Sequence, residues 1–163
     1  MTNPQLPLAE AIERLDSMPG YLDAAMAQVG ADALGRRPEA GKFSLREHAC
    51  HLRDLEREGF LVRVRRLVSE QSPRLEPFDG GAVAVARDYP SQDARIAARE
   101  FAAARRELTG MLAPLTADMM EAHAFFGDQP VTFGELVSMM VGHDREHRED
   151  IDQLLAHLAR QGA

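Results

Sequence analysis

Two histidines one helical turn apart, His143 and His147, fall where a helix should present apolar side chains to a protein core. The segment 132–160 repeats apolar residues at spacings of three and four, which predicts an amphipathic helix. Both histidines belong to its inward-facing series, which is Leu136, Met140, His143, His147, Ile151, Leu154 and Leu158. A buried imidazole nitrogen without a partner costs about 1–3 kcal/mol. A metal ion held between helices is the most economical way to compensate both rings.

The spacing of the two histidines suits chelation, because residues one turn apart lie on the same face of a helix. The HxxxH motif is short, so hydrogen-bonded core histidines satisfied by Asp144, Glu146 or Asp150 are the alternative. The sequence HDREH also differs from the HExxH motif of zinc proteases. Asp144 stands where the glutamate base of those enzymes would be, and we therefore do not predict a protease.

A second helix offers two candidates for a third ligand, His48 and His51. Ser44 and Glu47 form a capping box, which predicts that this helix begins at Ser44. Helical periodicity places His48 on the apolar face of this helix, whereas His51 lies on the neighbouring face, among charged residues. Periodicity alone therefore slightly favours His48, and both histidines remain candidates at this point.

Helical periodicity predicts four main helices, at about 6–28, 44–69, 91–112 and 132–160. A short helix is predicted at 116–122 and a turn at 125–130. The segment 71–90 contains three prolines and two glycines and reads as a long crossover between the second and third helices. Its GAVAVA sequence is the best local candidate for a strand. This pattern predicts an all-α antiparallel four-helix bundle.

Composition sets the class of protein. The chain has 163 residues, 45% of them hydrophobic, and a formal net charge of -7, which fits one globular domain and argues against a nucleic-acid or anionic-membrane surface. Cys50 is the single cysteine, so no intramolecular disulfide is expected. The N-terminal residues lack the basic region and apolar run of a signal peptide, and no segment is apolar enough to span a membrane. We expect a soluble cytoplasmic protein.

Two segments carry a family resemblance. They are KFSLREHACHLRDLERE and, about ninety residues later, VTFGELVSMMVGHDREHREDIDQL. Both resemble the DinB/YfiT-like superfamily of metalloenzymes, and the likeness covers nearly the whole chain. It implies one DinB-like bundle domain over 1–163, with a long crossover between helices 2 and 3. It also implies three metal ligands, His51, His143 and His147, in preference to His48. Phe43 stands where members commonly have tryptophan.

The resemblance implies a function as well. Three neutral imidazoles leave a position open for water or substrate, and zinc, nickel and iron(II) all accept them. Similar proteins are transferases and isomerases that use low-molecular-weight thiols such as mycothiol or bacillithiol; a hydrolase is the nearest variant. The alternative is a non-catalytic bundle, either metal-binding or metal-free, that acts as a dimeric binding or sensing module. We expect a homodimer and a small-molecule substrate, and we name no catalytic base. Four acids are near enough in sequence to orient the ligand rings: Asp54, Asp144, Glu146 and Asp150.

Overall fold

Four long helical elements dominate the computed structural model, which describes residues 6–162. Its helices are α1 (Leu8–Ala27), α2 (Leu45–Asp54), α3 (Leu61–Ser69), α4 (Gly80–Ala86), α5 (Ala94–Leu112), α6 (Ala117–Met120) and α7 (Phe133–Arg160). A π-helical segment, Leu55–Phe60, joins α2 to α3, so that the three form one long helix. Helix α1 packs against α5 and α7, and α2 packs against the same two helices. This arrangement confirms the predicted antiparallel four-helix bundle.

Two capping boxes fix where the histidine-bearing helices begin. The Ser44 hydroxyl accepts a hydrogen bond from the Glu47 amide, and the Ser44 amide donates to the Glu47 carboxylate at 2.9 Å. Thr132 and Glu135 repeat this exchange at the start of α7. An N-cap of this kind contributes about 1 kcal/mol. Both starts were predicted from the sequence and are confirmed, as is the end of α7 at Arg160.

The crossover between α3 and α5 is more ordered than the sequence suggested. The GAVAVA sequence was the best local candidate for a strand, but this prediction was wrong, because the segment is part of α4. The Asp79 carboxylate accepts a hydrogen bond from the Ala82 amide at 3.0 Å and caps that helix. The next long helix starts at Ala94 rather than near Ser91. Its cap is Asp93, whose side chain accepts from two backbone amides, whereas Ser91 lies in a short 3-10 turn.

A small sheet closes one part of the bundle. It has the order β1 (Arg74–Leu75), β2 (His123–Phe126) and β3 (Gln129–Thr132), with β1 parallel and β3 antiparallel to β2. The predicted turn at 125–130 is therefore wrong in extent: a tight hairpin, with Gly127 at a φ of +59°, joins two short strands. Strands of two to four residues stabilised by long-range pairing leave little periodicity in the sequence.

A polar layer crosses the middle of the bundle and divides its apolar core into two clusters. One cluster includes Leu45, Leu52 and Leu154, and the other includes Phe60, Leu108 and Met140. On α7 the clusters are separated by the segment that carries His143 and His147, and on α5 the change falls between Phe101 and Ala104, next to Arg105. On the long helix that includes α2 it falls between Leu52 and Leu55, close to His51 and Glu56. None of the helices within 6–162 is both long and apolar enough to cross a membrane.

Arg105 is the centre of the ionic part of this layer. Its guanidinium donates to the Glu56 carboxylate at 2.7 and 2.9 Å, to Asp144 at 2.5 and 3.1 Å and to the Leu15 carbonyl at 2.8 Å. Arg105 and Glu56 are each 1% exposed. Burial raises the pKa of both carboxyls while Arg105 opposes that shift. The three residues therefore tie α5, the π-helical segment and α7 together at the level of the histidines.

We expect Arg105→Met to destabilise the protein by about 3–5 kcal/mol, because two buried carboxylates would lose their common cation. Arg65→Met is the matched control, since the ion pair of Arg65 with Glu107 is half exposed. Its loss should lower the free energy of unfolding by about 1 kcal/mol or less. Urea unfolding followed by circular dichroism measures both. An equal loss of unfolding free energy in the two variants would show that Arg105 does not compensate the two buried carboxylates.

Candidate metal centre

The structure brings together three of the predicted site residues: His51 from α2, and His143 and His147 from α7. Their candidate ligand atoms all lie within 4.8 Å of one another. The Nε2 atom of His143 is 3.0 Å from Nε2 of His147 and 3.3 Å from Nε2 of His51. His147 is buried, whereas the other two rings are half-buried. Helix spacing had pointed to His143 and His147, and the family resemblance implied all three residues; their candidate ligand atoms converge on one point.

The surroundings keep these rings neutral. Burial, followed by the mutual influence of the histidines, lowers the pKa of His147 to about 2, and burial lowers that of His143 to about 3. Burial also lowers the pKa of His51. Neutral imidazole is the form that binds a metal ion, because its lone pair is free.

Three converging neutral rings cannot satisfy one another. An imidazole nitrogen carries either one proton or one in-plane lone pair. Nε2 of His143 can therefore form a good hydrogen bond with Nε2 of His147 or with Nε2 of His51, but not with both. A cation that accepts a lone pair from each ring removes this conflict. The spacing agrees, because nitrogens about 2.0–2.1 Å from a zinc ion lie about 2.9–3.4 Å apart at right-angled or tetrahedral positions. The observed separations of 3.0 and 3.3 Å fall in that range.

His48, the alternative candidate from periodicity, also faces inward and is 3% exposed. It does not join the three Nε2 atoms. Its Nδ1 atom lies 2.8 Å from Nδ1 of His147, on the side of that ring away from the cluster. Periodicity was therefore right about the direction of His48, while His51 is the histidine of α2 that lies with His143 and His147. That these three residues are metal ligands stays a prediction.

Three aromatic rings pack against the cluster. Phe43 lies 5.6 Å and Phe78 lies 6.3 Å from the ring of His51, and Phe60 lies 5.8 Å from the ring of His143, as centroid separations. Phe60 follows His51 by about two and a half turns of ideal α-helix, which would place it on the opposite side. The wider π-helical turn between them rotates Phe60 back toward the site. No local pattern in the sequence predicted this turn.

Gly80, the first residue of α4, lies directly against His51. A Cβ atom at this position would stand 2.5 Å from Cε1 and 2.9 Å from Nδ1 of the His51 ring. No real side chain tolerates such a contact, so only glycine allows the crossover to cover this imidazole. The paired glycines in the sequence were a signal for this close approach, but they did not indicate its partner.

The acids expected to orient the rings have other partners. The Asp54 carboxylate accepts from Arg53 and from the Tyr89 hydroxyl, and Asp144 accepts from Arg105. Glu146 and Asp150 are exposed. Within residues 6–162, no carboxylate is hydrogen-bonded to His51, His143 or His147. The expectation of carboxylate orientation was therefore wrong for this cluster, because nearby arginines engage the buried acids.

Comparisons with known proteins agree with this architecture. The sequence profile of the DinB superfamily matches residues 14–151. A solved structure, YfiT from Bacillus subtilis, superposes with a TM-score of 0.87 over 98% of this chain and 93% of its own, at 18% identity. That protein is described as a probable metal-dependent hydrolase with an unusual four-helix bundle topology. The search of curated proteins found no match.

Gly80→Ala should weaken metal binding, because the new methyl group forces the His51 ring out of the cluster. Gly81→Ala is the matched control: it makes the same change one residue further along α4, where the nearest atom is 3.6 Å away in ordinary contact. Zinc affinity measured by competition with a chromophoric chelator tests this. We expect a loss of about 10-fold or more in Gly80→Ala, of the order seen when ligand orientation is disturbed. Similar affinities in both variants would contradict the proposed contact.

The neutral histidines predict that the metal-free protein loses stability in mild acid. Their folded-state pKa values lie below the ordinary value of about 6.5, so the unfolded chain takes up protons first as the pH falls below that value. Each such ring removes up to about 1.4 kcal/mol per pH unit between about pH 6.5 and 4. The free energy of unfolding, measured with urea in the presence of a chelator across this pH range, should fall less steeply with decreasing pH in His147→Leu than in wild type. Identical slopes would show that His147 is not held neutral.

Proposed function

Because the chain belongs to the DinB superfamily, we propose that it binds one divalent metal ion through His51, His143 and His147. We propose further that the protein is an enzyme whose reaction depends on this ion. The observation that carries this proposal is the convergence of three neutral Nε2 atoms at separations of 3.0 and 3.3 Å between neighbours. A set of three protein ligands with an open position is typical of catalytic sites, whereas structural sites are closed.

The residues around the cluster define what the site does. Three neutral ligands leave the charge of a divalent ion uncompensated. Phe43, Phe60 and Phe78 pack against the rings of His51 and His143 and shield part of the cluster from water, which strengthens electrostatic interactions there. The rings of His51 and His143 are half-buried, so the cluster is not fully closed off from solvent. The ion itself would supply Lewis acidity, which lowers the pKa of a coordinated thiol or water.

Two reaction types follow from this chemistry, transfer of a low-molecular-weight thiol and hydrolysis of a small ester or amide. The family resemblance supports the first. The description of YfiT as a probable metal-dependent hydrolase supports the second. Both need a nucleophile activated near neutral pH, which the uncompensated ion favours. The choice of zinc, nickel or iron(II) does not follow from imidazole ligands alone.

A non-catalytic binding or sensing module is the second candidate. The observation that favours it is the engagement of the buried acids Asp54 and Asp144 by arginines, since this leaves no carboxylate of the described chain poised as a base beside the cluster. The homodimer and the thiol partner stay predictions, and so does the cytoplasmic location expected from the sequence.

Metal loading and activity are tested on the same samples. Purified protein is stripped with a chelator, reloaded with zinc, nickel or iron(II), and assayed for thiol conjugation and for ester and amide hydrolysis. We expect one ion per wild-type chain and a metal-dependent rate. His143→Ala should lose both, while the control His123→Ala, at an exposed position, should keep both. One bound ion without any rate favours the sensing module, and the absence of stoichiometric binding overturns the metal site itself.

Metal removal should leave the fold intact. Two apolar clusters hold the bundle on either side of the polar layer, and neither includes a candidate ligand. We expect chelation to lower the melting temperature modestly and to leave the helical circular dichroism unchanged. Loss of the helical signal on chelation would show instead that the ion is a structural requirement, as in small zinc domains.

A further inference from the structure

We propose that His48 is a positioning residue, which holds His147 in the tautomer that a metal ion requires. This inference rests on the proposed metal site and adds a residue outside its ligand set. It explains why an inward-facing histidine occurs on α2 one turn before His51 without reaching the converging Nε2 atoms.

The contact is direct and buried. The two Nδ1 atoms of His48 and His147 are 2.8 Å apart, and the rings meet edge to face at an interplanar angle of 90°. His48 is 3% and His147 is 9% exposed. Water therefore competes little for this hydrogen bond.

The direction of the hydrogen bond follows from metal binding. If Nε2 of His147 gives its lone pair to the ion, the proton of that neutral ring must be on Nδ1. Nδ1 of His147 then donates to Nδ1 of His48, which accepts with its own lone pair. His48 in turn carries its proton on Nε2. One bound ion thus selects the tautomer of two rings, and His48 acts as the partner that a carboxylate or a carbonyl usually provides.

His48 is well held for this task. Its backbone amide donates to the Ser44 carbonyl at 2.9 Å in the first turn of α2, and the ring of Phe43 packs edge-on against it at 5.6 Å. The neutral tautomer of His48 with its proton on Nε2 has a lone pair on Nδ1, which is the atom that faces His147.

His147 is the one candidate ligand with such support. Nδ1 of His51 and Nδ1 of His143 are buried and have no hydrogen-bond partner within the part of the chain that the structure describes. Loss of the His48 contact should therefore affect the ligand set at a single ring. This asymmetry makes the proposal specific to His48 and separates it from a general role of histidines in the core.

Two substitutions at His48 test the proposal. His48→Leu removes the acceptor, and His48→Asn keeps a side-chain oxygen near the place of Nδ1. We expect zinc affinity to fall about 10–100-fold in His48→Leu, the usual effect of losing an outer hydrogen-bond partner, and to be largely restored in His48→Asn. His157→Leu is the control, because this histidine lines the same polar cavity as His48 but has no contact with the cluster.

Nitrogen-15 NMR of the zinc-loaded wild-type protein gives a readout that mere packing would not move. The proposal predicts that His147 is protonated on Nδ1 and His48 on Nε2. A His48 protonated on Nδ1, or unchanged zinc affinity in a folded His48→Leu variant, would overturn it while leaving the metal site standing. Failure of the wild-type chain to bind any of zinc, nickel or iron(II) would instead overturn the proposed function and this inference together.

Discussion

The candidate site depends on one constraint, the convergence of three neutral imidazole rings whose neighbouring Nε2 atoms lie 3.0 and 3.3 Å apart. Each ring brings a lone pair or a single proton, so no arrangement of protons satisfies both close contacts of Nε2 of His143. Burial lowers the pKa of all three rings and so prevents protonation from relieving the conflict through charge. A divalent cation meets the requirement of every ring at once, which is why the geometry points to a metal centre.

The rest of the fold holds this arrangement in place. The capping boxes determine where α2 and α7 begin. The ion pairs of Arg105 connect α7 to α5 and to the π-helical segment next to the site. Gly80 lets the crossover lie against His51 without a clash. These features lie in or beside a polar layer between two apolar clusters. The clusters supply the hydrophobic stability, and the layer can therefore be specialised for chemistry.

Local patterns in the sequence predicted the helices well, because helical periodicity and caps are properties of neighbouring residues. They also placed His143, His147 and His48 on inward faces. The choice of His51 required the family resemblance, since its neighbours Asp54 and Glu58 made that side look solvated. The remaining features depend on residues far apart in the sequence. The contact of Gly80 with His51, the His48–His147 pair and the partners of Arg105 arise only when the helices pack, and so does the pairing of β1 with β2.

The most direct measurement is a crystal structure of the metal-loaded protein with anomalous diffraction data collected on both sides of the absorption edge of the bound metal. We expect one strong anomalous peak per chain, bonded to Nε2 of His51, His143 and His147 and to no other side chain. A peak bonded elsewhere, or one that leaves out any of these three nitrogens, would contradict the three-histidine site.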